Sequence, residues 1–460
     1  MIDAPTRAVA PAPLPAPHSL RLEILDTVRL AWPMALTQLG QIAMMTTDLA
    51  LLGRLGADVM AAASLAHAIL FGAFVVGAGL VSAVAPMAAQ AFGARDPRGV
   101  RAALRAGLWI SALASLPLTV SQLWGYDMLL FLGQEEGAAR LAARYLEGLA
   151  WSLGPGWAFI AIRGFMGAVN RPEPALRIML AAVPVNGLLA YALIYGAFGL
   201  PALDVLGAGL ATTIVNIGMC AAALWVAATQ PPFRRYRPLA GVWTWDWSVM
   251  GSMLKLGAPI SVTFFLEYGL FSASSFMVGV IGVTELAAHQ IALQIASIIF
   301  MAPFGVSMAA TVRVGQALGR GDMAAARRAG FIAIWLGLAF MVAMTILIVL
   351  TRDLIPLAFL GPGSAPEAAT LAATLLLVAS TFFVFDGLQT VASGALRGLN
   401  DTRAPLLYAA ISFWLVGFSA SWIFAFPLGL STTGVWMGLT VSLIVYAWLL
   451  VRRFDRLTRA

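Results

Sequence analysis

Charge is scarce in this chain. Of its 460 residues, 11% are Asp, Glu, Lys or Arg and 61% are apolar, with a mean hydropathy of +0.88. A soluble protein of this size needs far more charge to cover its surface. Cysteine is scarcer still. The single one, Cys220, lies in an apolar stretch, so no disulfide forms within the chain, and its simplest role is small-residue packing. The three histidines and one cysteine make no cluster with zinc spacing; His67 and His289 read as packing or interface residues. There is no Gly-Lys-Ser/Thr phosphate loop and no polar stretch large enough for a nucleotide-hydrolysing domain. These absences exclude a soluble enzyme, a disulfide scaffold and an ATP-driven pump.

What the chain has in quantity is long apolar runs. Windows of about twenty residues almost free of charge match the length that crosses roughly 30 Å of hydrocarbon. They fall near Leu30–Leu52, Val59–Ala83, Ala106–Gln122, Ala142–Ile162, Ile178–Phe198, Leu206–Ala228, Leu256–Ile281, Ala287–Ala310, Gly330–Leu350, Leu371–Gly394, Leu406–Phe426 and Gly434–Val451, twelve in all. The expected fold is all-α and polytopic. Residues 1–20, with five prolines and no apolar signal-peptide core, read as a disordered cytoplasmic leader.

The net charge of +7 would suit nucleic acid, but its placement argues otherwise. Arg54, Arg140, Arg144 and Arg352 follow odd-numbered spans. Apart from Arg163 near an inner helix end, the other basic residues gather in the leader, the tail and the even-numbered loops, as with Arg95, Arg98, Arg101 and Arg105, then Arg234, Arg235 and Arg237, then Arg313, Arg320, Arg327 and Arg328. This positive-inside bias predicts both termini in the cytoplasm and an outward loop around Gly361–Glu367. Trp243, Trp245 and Trp247 read as an interfacial anchor before span seven.

The chain also repeats itself. A shift of 226 positions brings Arg29 and Pro33 onto Lys255 and Pro259, Gly53 onto Gly279, and Gln90, Gly93, Asp96 and Trp109 onto Gln316, Gly319, Asp322 and Trp335; with four more residues, Gly164 and Asn170 meet Gly394 and Asn400. Six spans per repeat make the two halves parallel, related by an axis along the membrane normal, with a cleft between them. The expected units are residues 21–230 and 251–460, two pseudo-symmetric six-helix lobes around a central cleft, joined by a cytoplasmic linker at 231–250.

Carboxylates inside spans are the informative residues, because each costs at least roughly 2.5–3.5 kcal/mol at mid-bilayer. Glu267 is twelve residues past Lys255 and Asp386 eleven before Arg397, roughly 18 and 16 Å from the inner ends at 1.5 Å per residue. Both are expected near the midplane of the second half, with no arginine or lysine of that half at their depth. Two such acids facing one site cannot both stay ionised unpaired, so a proton or a cation such as sodium must join them. Asp48 belongs to the outer leaflet of the first half, on a polar strip with Gln38, Gln41, Thr46 and Thr47.

The runs Ala287-Ala288-His289-Gln290-Ile291-Ala292, Arg313-Val314-Gly315-Gln316-Ala317-Leu318-Gly319 and Ala395-Leu396-Arg397-Gly398-Leu399-Asn400-Asp401-Thr402, with Pro33, Gln38, Asp48 and Gly53, resemble the signature of the MATE (multidrug and toxic compound extrusion) transporters. Glu267 with Asp386 resembles the NorM branch. The resemblance implies a cation-coupled antiporter whose coupling residues are Glu267, Asp386 and Asp48, with Asn186 beside Asp48 and Gln38 and Gln290 as further candidates. It implies no cofactor, small-molecule substrates, membrane lipid and no nucleic acid as partners, a monomer, and a bacterial inner membrane. Ala190 and Phe382 depart from the family pattern, since neither offers a sodium ligand; sodium is favoured slightly over protons by the NorM likeness alone. Alternatives are a flippase for a lipid-linked precursor, which would want a strongly cationic cavity, an exporter of one metabolite, and an intramembrane enzyme, for which no nucleophile or metal cluster is in view.

Overall fold

The computed structural model describes residues 20–360 and 366–459. The expected leader, and most of the expected outward loop at Gly361–Glu367, lie outside the described residues. The described chain is helical with no strand among those residues, as a bilayer requires when every backbone polar group must be satisfied within its own segment.

The first half begins with α1 (Leu20–Gly53). One span then divides at Ala83 into α2 (Ala57–Ser82) and α3 (Val84–Gly93), and α4 (Pro97–Leu123) returns. A short α5 (Gly125–Phe131) leads to α6 (Glu136–Leu149) and α7 (Leu153–Ala168), joined by a single tight turn of helix at Ala150–Ser152. Next come α8 (Glu173–Tyr195) and α9 (Asp204–Thr229). The second half runs through α10 (Trp247–Ile281), α11 (Val283–Gly319), α12 (Met323–Thr351), α13 (Ile355–Leu360) and α14 (Pro366–Gly398). It ends with α15 (Arg403–Ala409), which continues through π-helical Ala410–Phe418 into α16 (Ser419–Ala425), and with α17 (Ser431–Arg459). Ten segments are long and apolar enough to cross a membrane. The two outside that count are α1, whose apolar run is interrupted by Gln38, Gln41, Thr46 and Thr47, and the interrupted α6–α7; with them the chain has twelve transmembrane helices.

The sequence repeat reappears in helix boundaries. Ala57, Gly93 and Pro97 map by 226 positions onto Val283, Gly319 and Met323, and Glu136, Ala168 and Glu173 by 230 onto Pro366, Gly398 and Arg403, each a helix start or end. Asp96 and Asp322 cap equivalent helices, accepting from the backbone N–H of Arg98 and Ala325 at 2.9 and 2.8 Å. Asn170 and Asn400 both turn the chain at left-handed φ values of 61° and 60°, a conformation asparagine tolerates better than most residues.

The halves meet closely at the arginine-rich end. A Cβ on Gly93 would strike the Gln316 carbonyl and one on Gly319 the Gln90 carbonyl, while Gly79 and Gly305 press on Ser261 and on Ala31 and Ala35 in matching crossings. Side chains lock the same region in duplicate. Gln90 Nε2 donates to the Gly398 carbonyl at 2.9 Å and its Oε1 accepts from Asn400 at 2.8 Å. Gln316 Nε2 donates to the Ala168 carbonyl at 2.9 Å and to Asn170 Oδ1 at 3.0 Å. Arg313 donates to Thr27 and the Glu23 carbonyl, and Arg328 lies 3.4 Å from the Glu23 carboxylate. The segment between α9 and α10 rests on the first half: the Trp109 indole donates to the Val242 carbonyl, Arg105 holds Gly241 and Thr244, and Phe233 and Tyr236 pack on Phe165.

Candidate cation sites in the two lobes

Asp48 is placed by α1 at 5% exposure, between α8 and α9. Its Oδ1 accepts from Asn186 Nδ2 at 2.6 Å and its Oδ2 from the Thr212 hydroxyl at 2.7 Å. Asn186 is fully buried, and its Oδ1 has no donor. An acceptor left open beside a carboxylate is what a proton or a small cation would complete. The expected neighbours Asp48 and Asn186 are therefore in contact, and Thr212 is a third member that sequence reasoning missed. Ala190 is buried and adds no oxygen. Gln38 is not part of this group; ten residues earlier on α1, it accepts a hydrogen bond from Arg163.

In the second lobe α10 supplies Glu267 and α14 supplies Asp386, and one side chain links them. Gln389 Nε2 lies 3.0 Å from Glu267 Oε1, 3.2 Å from Asp386 Oδ1 and 3.0 Å from Thr390 Oγ1. Three oxygens share a nitrogen that has only two hydrogens, so the amide sits where a cation would find the same oxygens. Gln389 was also missed. It lies one turn after Asp386 on the same face of α14, but a glutamine in an apolar run carries no charge signal. Phe382 packs against Trp436 and Phe271 and contributes no ligand.

The expectation that no basic group of this half reaches the acids needs correction. The Arg397 guanidinium lies 5.2 Å over the Phe264 ring, one turn before Glu267, and attracts the Glu267 carboxylate. Side chains on a helix lean toward its N-terminus, and in α14 that direction leads from the arginine-rich end back toward the midplane. Gln290 is exposed and has no hydrogen-bond partner among the described residues, so it joins neither carboxylate group. His289 beside it is fully buried. Because the Trp436 indole can only donate, Nδ1 of His289 accepts from it at 3.1 Å, and Nε2–H donates to Ser275 at 3.2 Å. Both ring nitrogens are satisfied, as a packing histidine requires.

The sites occupy duplicated helices, and the MatE family model matches both copies, over residues 33–192 and 259–423. The chain belongs to the MatE family. Among its MatE relatives, a "probable multidrug resistance protein NorM" of Rhodopseudomonas palustris is 59% identical, covering 98% of this chain and 95% of its own. A protein of the same name from Bradyrhizobium diazoefficiens is 56% identical, over 95% and 94%. A structure described as the outward-facing conformation of a multidrug resistance MATE family transporter of the MOP superfamily matches with a TM-score of 0.86 at 20% identity, covering 96% of this chain and 98% of the other. That likeness is one of fold: twelve transmembrane helices in two lobes, all-α throughout.

Proposed function

We propose that this protein exports amphipathic, mostly cationic small molecules across a bacterial inner membrane in exchange for sodium ions or protons. The observation that carries this reading is the pair of carboxylates, Glu267 and Asp386, held across one amide nitrogen inside the body of a membrane protein. Such a pair costs stability unless a cation or proton completes it, and intramembrane acids of this kind mark ion pathways. The NorM names of relatives as similar as 59% identical support efflux of more than one compound.

The positive-inside rule puts the arginine-rich end in the cytoplasm. Close glycine crossings hold the two lobes together at that end, which supports a reading in which the carrier opens its cleft on the other side. The lobes, taken as 21–230 and 251–460, rock about this seam, and residues 231–250 travel with the first lobe through the Trp109 and Arg105 contacts. Cation entry from outside removes negative charge that holds a cationic substrate, and the substrate leaves. In proteoliposomes with separately imposed sodium and proton gradients, export of a cationic dye should accelerate under at least one of the two and stop when both are collapsed. Dye movement indifferent to both gradients would refute ion coupling.

A further inference from the structure

Arg163 on α7 is 4% exposed, and the proposed exchange does not use it. Its Nη1 donates to Gln38 Oε1, its Nε has no partner, and among the described residues no carboxylate bears on it. A guanidinium buried this way costs several kcal/mol unless a counter-charge is supplied, and an intramembrane arginine with no internal counter-ion points to a ligand that brings one.

The repeat shows what is missing. Gln38 maps by 226 positions onto Phe264, over whose ring the Arg397 guanidinium lies. Each lobe thus sets a guanidinium against the same position of its first helix. In the second lobe the acids Glu267 and Asp386 stand nearby. Their counterparts in the first lobe are Gln41 and Gly156, both neutral. Asp48 is ten residues further along α1 than Gln38, roughly 15 Å, and is already held by Asn186 and Thr212. Beside this position the second lobe therefore carries two carboxylates and the first lobe none.

We propose that Arg163 and Gln38 form a subsite in the first lobe for an anionic group of the transported molecule, a carboxylate, so that zwitterions lie with their ammonium toward the acidic lobe and their carboxylate on Arg163. The unspent Nε–H is one of the hydrogens that a guanidinium uses in side-on pairing with a carboxylate. The proposal rests on the efflux reading for its substrate but is tested by binding alone.

The probes are a xanthene dye with a free carboxylate and its methyl ester, titrated by fluorescence anisotropy against the purified full chain. Arg163→Gln should weaken binding of the acid about ten-fold or more and leave the ester within about two-fold, with Arg163→Lys recovering only part of the loss because it keeps the charge but not the side-on pair. Equal weakening of both dyes would mean a structural role and overturn the proposal, as would unchanged binding of the acid. Gradient-independent uptake of the ester in vesicles would count against the efflux reading, while the acid–ester difference in binding would still stand.

Discussion

Replacing both midplane acids, Glu267→Gln with Asp386→Asn, abolishes gradient-driven export while insertion and folding survive. One charge crossing 100 mV is worth roughly 2.3 kcal/mol, about fifty-fold in concentration, and that is the gradient the variant forfeits. Folding survives because the contacts that hold the site are kept: the amide oxygens of the replacements still accept from Gln389 Nε2, which now bridges the two carboxylates at 3.0 and 3.2 Å, and Arg397 keeps the Ser393 hydroxyl and the Phe264 ring. Dye accumulation in proteoliposomes, read beside the thermal melt of the same preparation, checks both halves of this expectation. Undiminished accumulation would place ion coupling elsewhere.

The second large effect concerns the seam between lobes. Gln90→Ala with Gln316→Ala removes four side-chain hydrogen bonds at the arginine-rich end. At a net 0.5–1.5 kcal/mol each, their loss shifts the balance between the two carrier states by about 2 kcal/mol or more, roughly thirty-fold. Spin labels at positions 98 and 324, exposed and equivalent in the repeat, in a Cys220→Ser background, should show a longer distance population growing in the double variant. An unchanged distance distribution would mean that backbone packing at Gly93 and Gly319 alone holds the seam.

Much of this was legible in the residues. Twelve apolar runs and a shift of 226 positions gave the spans and the duplication because hydropathy and repetition survive in one dimension. Glu267, Asp386 and Asp48 stood out because a carboxylate in an apolar run is expensive wherever the helix packs. Thr212 and Gln389 did not, since neutral polar residues are common in spans, and only the packing of α9 on α1 and the turn of α14 reveal their partners. Arg397 was set at the wrong depth because counting residues along a helix locates the Cα, while a long side chain leaning toward the helix N-terminus carries its charge about a turn further. Gln290 stood out through its motif, but it is exposed and bonded to neither acid group among the described residues.

In the proposed exchange, competition between cation and substrate is the step on which export depends. A ligand shifts a two-state carrier only through its differential affinity for the two states, so the cation must weaken substrate binding in order to drive release. The direct measurement is the affinity of purified protein for a cationic dye across a sodium titration and a proton titration. Affinity should fall as one of these ions rises, and the dependence should vanish in Glu267→Gln with Asp386→Asn. Affinity indifferent to both ions in the wild type would contradict exchange at the Glu267–Gln389–Asp386 site.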